Sequence, residues 1–238
     1  MAYKRPPITE AIIELRFARP FSEDVVAAAT QVLAGEYFYK DTEKGGNLKI
    51  DAVTGQSEYE ALWSGERLSS VDRADIAIFR TTAFVTSRLA PYLGWEQFRE
   101  RSERAWAAWR RAAGSVELAR IGVRYVNRID FPGEGPIKLD DFLKIYPITP
   151  DGPPIQAYTM QVIRPIDADQ CVATITSASV ESPLIGFSSF LLDLDVFREI
   201  DLPKRDDVLW ELLEKFRHHK NNVFESCLTQ RTKAIFDQ

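Results

Sequence analysis

The stretch that decides the fold is Arg120-Ile121-Gly122-Val123-Arg124-Tyr125-Val126-Asn127-Arg128-Ile129-Asp130. Side chains of a β-strand point alternately to its two faces. One face of this strand would therefore hold the apolar residues Ile121, Val123, Tyr125 and Ile129. The other face would hold the charged residues Arg120, Arg124, Arg128 and Asp130. The pattern predicts a strand with one face in the core and a row of guanidinium groups on the other.

The composition is that of a globular protein. Hydrophobic residues make up 45% and charged residues 27% of the 238 residues, which is enough apolar side chain for a substantial core. The net charge of −5 excludes a general attraction to nucleic acid or anionic lipid. No apolar run is long enough for a membrane span, and the first residues lack the apolar run of a signal peptide. We therefore expect a cytoplasmic protein.

Three further segments complete the predicted architecture. Residues Thr9 to Phe17 alternate between apolar and charged residues and predict a second strand. Ile76 to Leu89 predicts one longer strand that carries Arg80 and Arg88 on the same face. Trp95 to Ala113 has apolar residues at helical spacing, and we interpret its tryptophans as core residues rather than as an aromatic ligand site.

The predicted fold class is α+β. We expect a mainly antiparallel, twisted sheet or pair of sheets, with long amphipathic helices packed on one side. Strands followed by a long helix occur twice along the chain, which favours a weak internal duplication. Residues 1–238 are expected to form a single compact unit. If there are two lobes, they are 1–131 and 157–238, joined by the Pro- and Gly-rich connection 132–156.

Known catalytic and cofactor motifs are absent from the sequence. There is no P-loop, no dinucleotide-binding glycine pattern, no nucleophile elbow and no C-x-x-C, so no cofactor is predicted. Glu214, His218, Asn221 and Glu225 would lie along one side of a helix and could hold a metal ion. His219 points about 100° away from His218. We therefore interpret this group as a solvated helix face and predict no metal site.

Carboxylates offer one route to an enzyme. Asp193 and Asp195 share one face of a strand, and together with Glu14 they could support a metal-assisted hydrolase, for example a phosphodiesterase. The alternative, which we favour, is that these acids pair with arginines across the sheet, because a guanidinium fits a carboxylate with two parallel hydrogen bonds. The sequence therefore leaves enzyme activity uncertain and leans against it.

A ligand-binding surface is predicted where arginines gather on the sheet. Its candidate residues share a polar strand face; they are Glu14, Arg16, Arg80, Arg88, Arg124 and Arg128. If the three strands that carry them are neighbours, these groups converge and could hold a phosphate or carboxylate. The alternative is a lattice of structural salt bridges.

The leading functional hypothesis is a non-enzymatic binding or interaction module. Its partner would be an anionic small molecule, a nucleic-acid segment or an acidic protein surface, and not a membrane. The alternatives are the hydrolase and a structural subunit of a larger assembly, and a homo-oligomer remains open.

Three motifs resemble those of a sporadically distributed family of uncharacterised bacterial proteins of similar length. They are Pro6-Pro7-Ile8-Thr9-Glu10-Ala11-Ile12-Ile13-Glu14-Leu15-Arg16-Phe17, Leu89-Ala90-Pro91-Tyr92-Leu93-Gly94-Trp95-Glu96-Gln97-Phe98 and the Arg120–Asp130 strand. The resemblance covers the whole chain and implies a bacterial cytoplasmic protein. It carries no catalytic residue over to this sequence.

Overall fold

The computed structural model describes residues 3–50, 57–133, 138–150 and 155–237, and the side chains of 46–50 and 57–62 are outside that description. The strands are β1 Ile8–Phe17, β2 Tyr39–Ile50, β3 Ser57–Ser69, β4 Asp75–Arg80, β5 Ala83–Leu89, β6 Leu118–Pro132, β7 Thr159–Ile166, β8 Cys171–Val180 and β9 Phe187–Arg198. The helices are α1 Glu23–Val32, α2 Trp95–Ala113, α3 Asp206–Cys227 and α4 Gln230–Ile235, with a one-turn 3₁₀ helix at Leu139–Asp141.

The strands form one sheet in the order β2-β3-β4-β5-β1-β6-β9-β8-β7. The pairs β2-β3, β3-β4, β4-β5, β6-β9, β9-β8 and β8-β7 are antiparallel. The predicted α+β class with a large antiparallel sheet is confirmed. Among the helices of the described residues, none is long and apolar enough to cross a membrane.

Residue contacts divide the chain into two compact units. The β6 unit comprises Met1–Ile13, Leu89–Tyr92 and Arg120–Gln238, and the β4 unit comprises Glu14–Arg88 and Leu93–Ala119. No boundary of either unit falls inside the predicted connection 132–156, of which 134–137 and 151–154 lie outside the described residues. The expectation of a single compact unit stays a prediction.

The β4 unit is built around the tryptophans of α2. Trp109 is fully buried, stacked on Phe17 with ring centroids 4.9 Å apart, and Trp106 packs against Phe84. Trp95 is also buried, so the interpretation of the three α2 tryptophans as core residues is confirmed. Rings of this size bury about 150–250 Å² each, so they contribute strongly to the apolar core of this unit.

The prediction of one long strand over Ile76–Leu89 is wrong. β4 and β5 form a hairpin in which Phe79 faces Phe84 across a turn at Thr81-Thr82. A two-residue turn reverses the chain and resets which residues share a face. Arg88 therefore lies on the face of Phe79 and Phe84, and Arg80 lies on the opposite face.

The β6 unit contains the strand that the sequence singled out. Ile121, Val123, Tyr125 and Ile129 are each at most 1% exposed, so the predicted dry face of β6 is confirmed. α3 contacts β9 and buries its own apolar stripe, which includes Leu209, Leu213 and Phe216.

β7 is the outermost strand on its side of the sheet. The N–H of Ser179 on β8 donates to the carbonyl of Tyr158 at 3.0 Å, and the register continues without a shift to Ile166. Because backbone groups alternate in direction along a strand, those of Thr159, Gln161, Ile163 and Pro165 point away from β8. Pro165 thus places its missing N–H at the outer edge, where no ladder bond is lost.

Candidate functional site

The open face of β6 and β9 is a polar surface formed entirely within the β6 unit. The register sets Arg124 opposite Asp195, Val126 opposite Asp193 and Asp130 opposite Ser189. Residues directly opposite in an antiparallel pair share a face, so the arginines of β6 lie among the acids of β9. We call Arg120, Arg124, Arg128, Asp130, Asp193 and Asp195 the arginine face. It holds three cations and three anions.

Arg124 is the most accessible arginine on this face. Its Nε lies 2.9 and 3.1 Å from the two Asp193 oxygens, and its Nη2 lies 2.5 Å from Oδ2. The Arg124 side chain is 49% exposed, whereas that of Asp193 is 12% exposed. The hydrogen bonds to Asp193 raise the pKa of Arg124 above its ordinary value, and Asp195 and Glu10 add to the effect. The carboxylate therefore holds the inner edge of the guanidinium and leaves the outer edge in solvent.

Arg120 is held flat against the strand. Its Nη2 donates to Asp195 Oδ2 at 2.6 Å, and its guanidinium lies over the Phe197 ring, 4.3 Å from the centroid. A Cβ at Gly122 would come within 2.6 Å of Arg120 Nη1, so the glycine makes room for the guanidinium. The Arg120 side chain is only 8% exposed. This arginine contributes to the sheet rather than to an accessible surface.

Arg128 and Asp130 pair along the same strand. Arg128 Nε lies 3.1 and 3.4 Å from the Asp130 oxygens, and the Arg128 side chain is 37% exposed. Asp130 also accepts a hydrogen bond from Ser189 on β9. Asn127 is buried on the opposite face, where its amide donates to the carbonyls of Tyr125 and Leu192. It is a structural residue of the core face.

The other predicted ligand residues lie in the β4 unit, and each arginine among them has an acidic partner. Arg16 donates to Glu14 at 2.9 Å and is more than half exposed. Arg80 pairs with Glu43 at 3.4 Å. Arg88 is buried and pairs with Asp75 at 2.7 Å, and Arg101 of α2 contacts the same carboxylate. Because Arg80 and Arg88 point to opposite faces of the hairpin, the predicted grouping of these two on one polar face is wrong.

The geometry favours arginine pairing over catalysis for the strand carboxylates. Asp193 and Asp195 each bind an arginine, which confirms the predicted ion pairs. Their proposed partner Glu14 accepts a hydrogen bond from Arg16 at 2.9 Å. Within the described part of the chain, no group of three or more His, Cys, Asp or Glu residues is placed to hold a metal ion.

The helix face around His218 is likewise divided among different partners. The Nδ1–H of His218 donates a hydrogen bond to the Glu214 carbonyl at 2.8 Å. Glu225 instead accepts a hydrogen bond from Tyr3 and pairs with Lys233. His219, on the neighbouring side of α3, bonds Asp169 at 2.7 Å.

Sequence reasoning missed Lys220. It is 6% exposed, and its Nζ lies 3.7 Å from the centroid of the Tyr125 ring. A signal was present: position 220 lies four residues after Phe216 and four before Phe224, in the middle of the apolar stripe of α3. A lysine at such a position is one that packing alone does not explain.

Comparison of the sequence with models of known protein families finds no match, and a search of curated proteins finds no significant relative.

Proposed function

We propose that the protein is a non-enzymatic binding module that holds an anionic group of a ligand or partner on the arginine face. The observation that carries the proposal is the state of Arg124. Asp193 engages Nε and Nη2, and within the described residues Nη1 makes no hydrogen bond. A guanidinium has five N–H donors, so Arg124 keeps a pair of outward donors that its own carboxylate does not use.

Because Asp193 holds its inner edge, Arg124 should bind an anion more tightly than a free surface arginine would. The Asp193 bonds fix the guanidinium plane, so less side-chain entropy is lost when a phosphate or carboxylate binds the outer edge. Arg128 repeats the arrangement with Asp130. The two lie four residues apart on one strand, about 14 Å, which suits an extended ligand with more than one anionic group.

Charge alone does not drive this binding. Three arginines are balanced by three aspartates, so the face has no excess of positive charge. We therefore expect recognition by paired hydrogen bonds to a planar or tetrahedral anion, with only a modest dependence on salt. This expectation separates the arginine face from a nucleic-acid surface built on phosphate neutralisation, where affinity falls steeply with salt.

The proposal is tested with three probes of different origin: inorganic phosphate, a poly-glutamate peptide and a single-stranded oligonucleotide. Affinities are measured for wild type, for Arg124→Gln with Arg128→Gln, and for Arg205→Gln as the control. Arg205 is an exposed arginine of the same unit that pairs with its neighbour Asp207. We expect the double variant to lose at least about tenfold in affinity for the probe that binds, which is the effect of one charged hydrogen bond.

An unchanged affinity in the double variant, together with unchanged thermal unfolding, would remove the arginine face from consideration. Failure of all three probes to bind wild-type protein would count equally against the proposal.

We also propose that the chain contains an internal duplication with one helix layer in each half. In the first half, β1 pairs with β5, the last strand of the meander β2-β3-β4-β5, and α2 follows. In the second half, β6 pairs with β9, the last strand of β7-β8-β9, and α3 follows. Superposition of β4-β5-α2 on β8-β9-α3 in a crystal structure of the protein is the test, and a mismatch in strand direction or helix placement would refute it.

A further inference from the structure

Lys220 is a basic residue in the buried core of the β6 unit. It lies on the buried stripe of α3, among Phe216, Val223 and Phe224, with Nζ over the Tyr125 ring of β6. A methionine would fill the same space, whereas a lysine must bury an amine. The presence of the amine is therefore the feature to explain.

The surroundings of Nζ provide no anion. Within the described residues Nζ makes no hydrogen bond and no ion pair, and it lies 3.7 Å from the centroid of the Tyr125 ring. The charged groups that act on it are Arg217 and Glu225 of its own helix. From β6 it faces Tyr125, whose hydroxyl lies 2.8 Å from that of Tyr92. The pKa of Tyr125 is raised by burial and by Tyr92, so its hydroxyl stays protonated.

Burial in an apolar position favours the neutral amine. Burial, followed by the nearby positive charge of Arg217, lowers the pKa of Lys220 to about 7. A neutral amine has a free electron pair, and desolvation of a lysine in an apolar site is one of the ways in which proteins produce an amine nucleophile.

We propose that Lys220 is a reactive amine that captures small aldehydes as an imine. The Nζ electron pair attacks the carbonyl carbon and forms a C–N bond, while the carbonyl oxygen takes a proton from nitrogen. The resulting carbinolamine loses that oxygen as water together with the second amine proton, and a C=N bond remains. The net reaction of amine and aldehyde gives imine and water, and no oxidant or reductant takes part.

The aromatic ring decides which class of electrophile suits the site. An imine is either neutral or, when protonated, a cation. The face of a tyrosine ring attracts cations, so it does not disfavour either form. A carbamate formed from carbon dioxide would place an anion over the same negative ring face. The small exposed fraction of Lys220 restricts the substrate to short aldehydes.

The test uses wild-type protein, limiting formaldehyde and cyanoborohydride, which reduces an imine to a stable secondary amine. Labelling of each lysine is followed by peptide mass mapping between pH 6 and pH 10. Lys215 is the internal control, because it lies on the same helix, is exposed and has a pKa raised by Asp169.

We expect Lys220 to be labelled at least about tenfold faster than Lys215 at pH 7. A pKa lower by three or more units gives a neutral fraction about a thousand times larger, and burial slows access by part of that factor. The rate at Lys220 should level off just above pH 7, while that at Lys215 should still rise at pH 10. The Lys220→Arg variant should lose the fast-labelled site.

Labelling of Lys220 no faster than that of Lys215, or labelling that appears only when urea unfolds the protein, would overturn the proposal. Both readings come from the wild-type chain, so they do not depend on whether a variant folds.

Discussion

Replacing Lys220 with Met is expected to stabilise the protein, and to do so more at neutral than at alkaline pH. Lys220 is buried and has no carboxylate within hydrogen-bonding distance among the described residues, and burial lowers its pKa from 10.5 to about 7. Methionine fills a similar volume in the stripe between Phe216 and Phe224 without a charge. The substitution therefore removes the cost of burying the amine and leaves the packing in place.

The direction of this pH dependence follows from how many protons Lys220 binds in the folded and in the unfolded chain. Between about pH 7 and pH 10.5 the unfolded chain holds a proton on Lys220 that the folded chain has released. The contribution of Lys220 to the free energy of unfolding therefore rises with pH across this window, by about 1.4 kcal/mol per pH unit. Below pH 7 both states are protonated and the destabilisation remains at its full size of about 5 kcal/mol, whereas above pH 10.5 it vanishes.

Urea unfolding of wild type and Lys220→Met at pH 7 and pH 9 measures the effect. The variant should be more stable by about 4 kcal/mol at pH 7 and by about 2 kcal/mol at pH 9. Contributions from other titrating groups cancel in this difference. Lys215→Met, in which an exposed lysine of the same helix is replaced, should show no change in its stability difference between these two pH values.

An equal difference between wild type and Lys220→Met at pH 7 and pH 9 would mean that Lys220 keeps its proton in the folded protein. That result would refute the reasoning from burial.

Three further outcomes are expected. Gly65→Ala should destabilise by about 3 kcal/mol in urea unfolding, because its Cβ would lie 2.2 Å from the Phe79 carbonyl oxygen. Gly122→Ala should cost less, since its Cβ would meet the end of the Arg120 side chain rather than backbone. Gly35→Ala, with nothing within 4 Å, is the control. A double-mutant cycle between Arg124→Ala and Asp193→Ala should give a coupling energy of about 1 kcal/mol, because one partner is buried. The exposed pair Arg205 and Asp207 should show no coupling. A larger coupling for Arg205 and Asp207 than for Arg124 and Asp193 would contradict the argument from burial. Cys171 and Cys227 are buried, and burial raises the pKa of Cys171 to about 11. Neither thiol should react with iodoacetamide at pH 7.5 until urea unfolds the chain, and labelling of native protein would show that the thiols are accessible.

The faces of β6 could be predicted from the sequence because the strand is long, its period is two, and one of its faces is almost purely apolar. Ion pairs between the β6 arginines and the β9 aspartates were also predictable, from the residue types alone. The choice of partner was not, because Arg124 bonds Asp193 on the diagonal rather than Asp195 directly opposite. That choice depends on register and side-chain length, which a single sequence does not specify.

The hairpin of β4 and β5 escaped prediction for a local reason. Its turn, Thr81-Thr82, contains none of the Gly, Asn, Asp or Pro residues that ordinarily mark a two-residue turn. Both threonines are common in strands, so the alternation seemed to continue through them. Because the chain reverses at this turn, Arg88 lies not on the expected polar face but in a buried ion pair with Asp75.

Pro165 on β7 has a consequence for how the protein behaves at high concentration. The unpaired backbone at the rim of a sheet is a template on which another extended chain can grow into a fibre. Val162 and Ile163 are exposed apolar residues at this sheet edge, and burying them would favour the addition of another strand. An incoming strand finds outward donors at Thr159, Gln161 and Ile163 and then a gap at the imino acid. The missing N–H of Pro165 limits the backbone ladder with an incoming strand to three donors. Pro165 therefore protects the β7 edge against aggregation by strand addition.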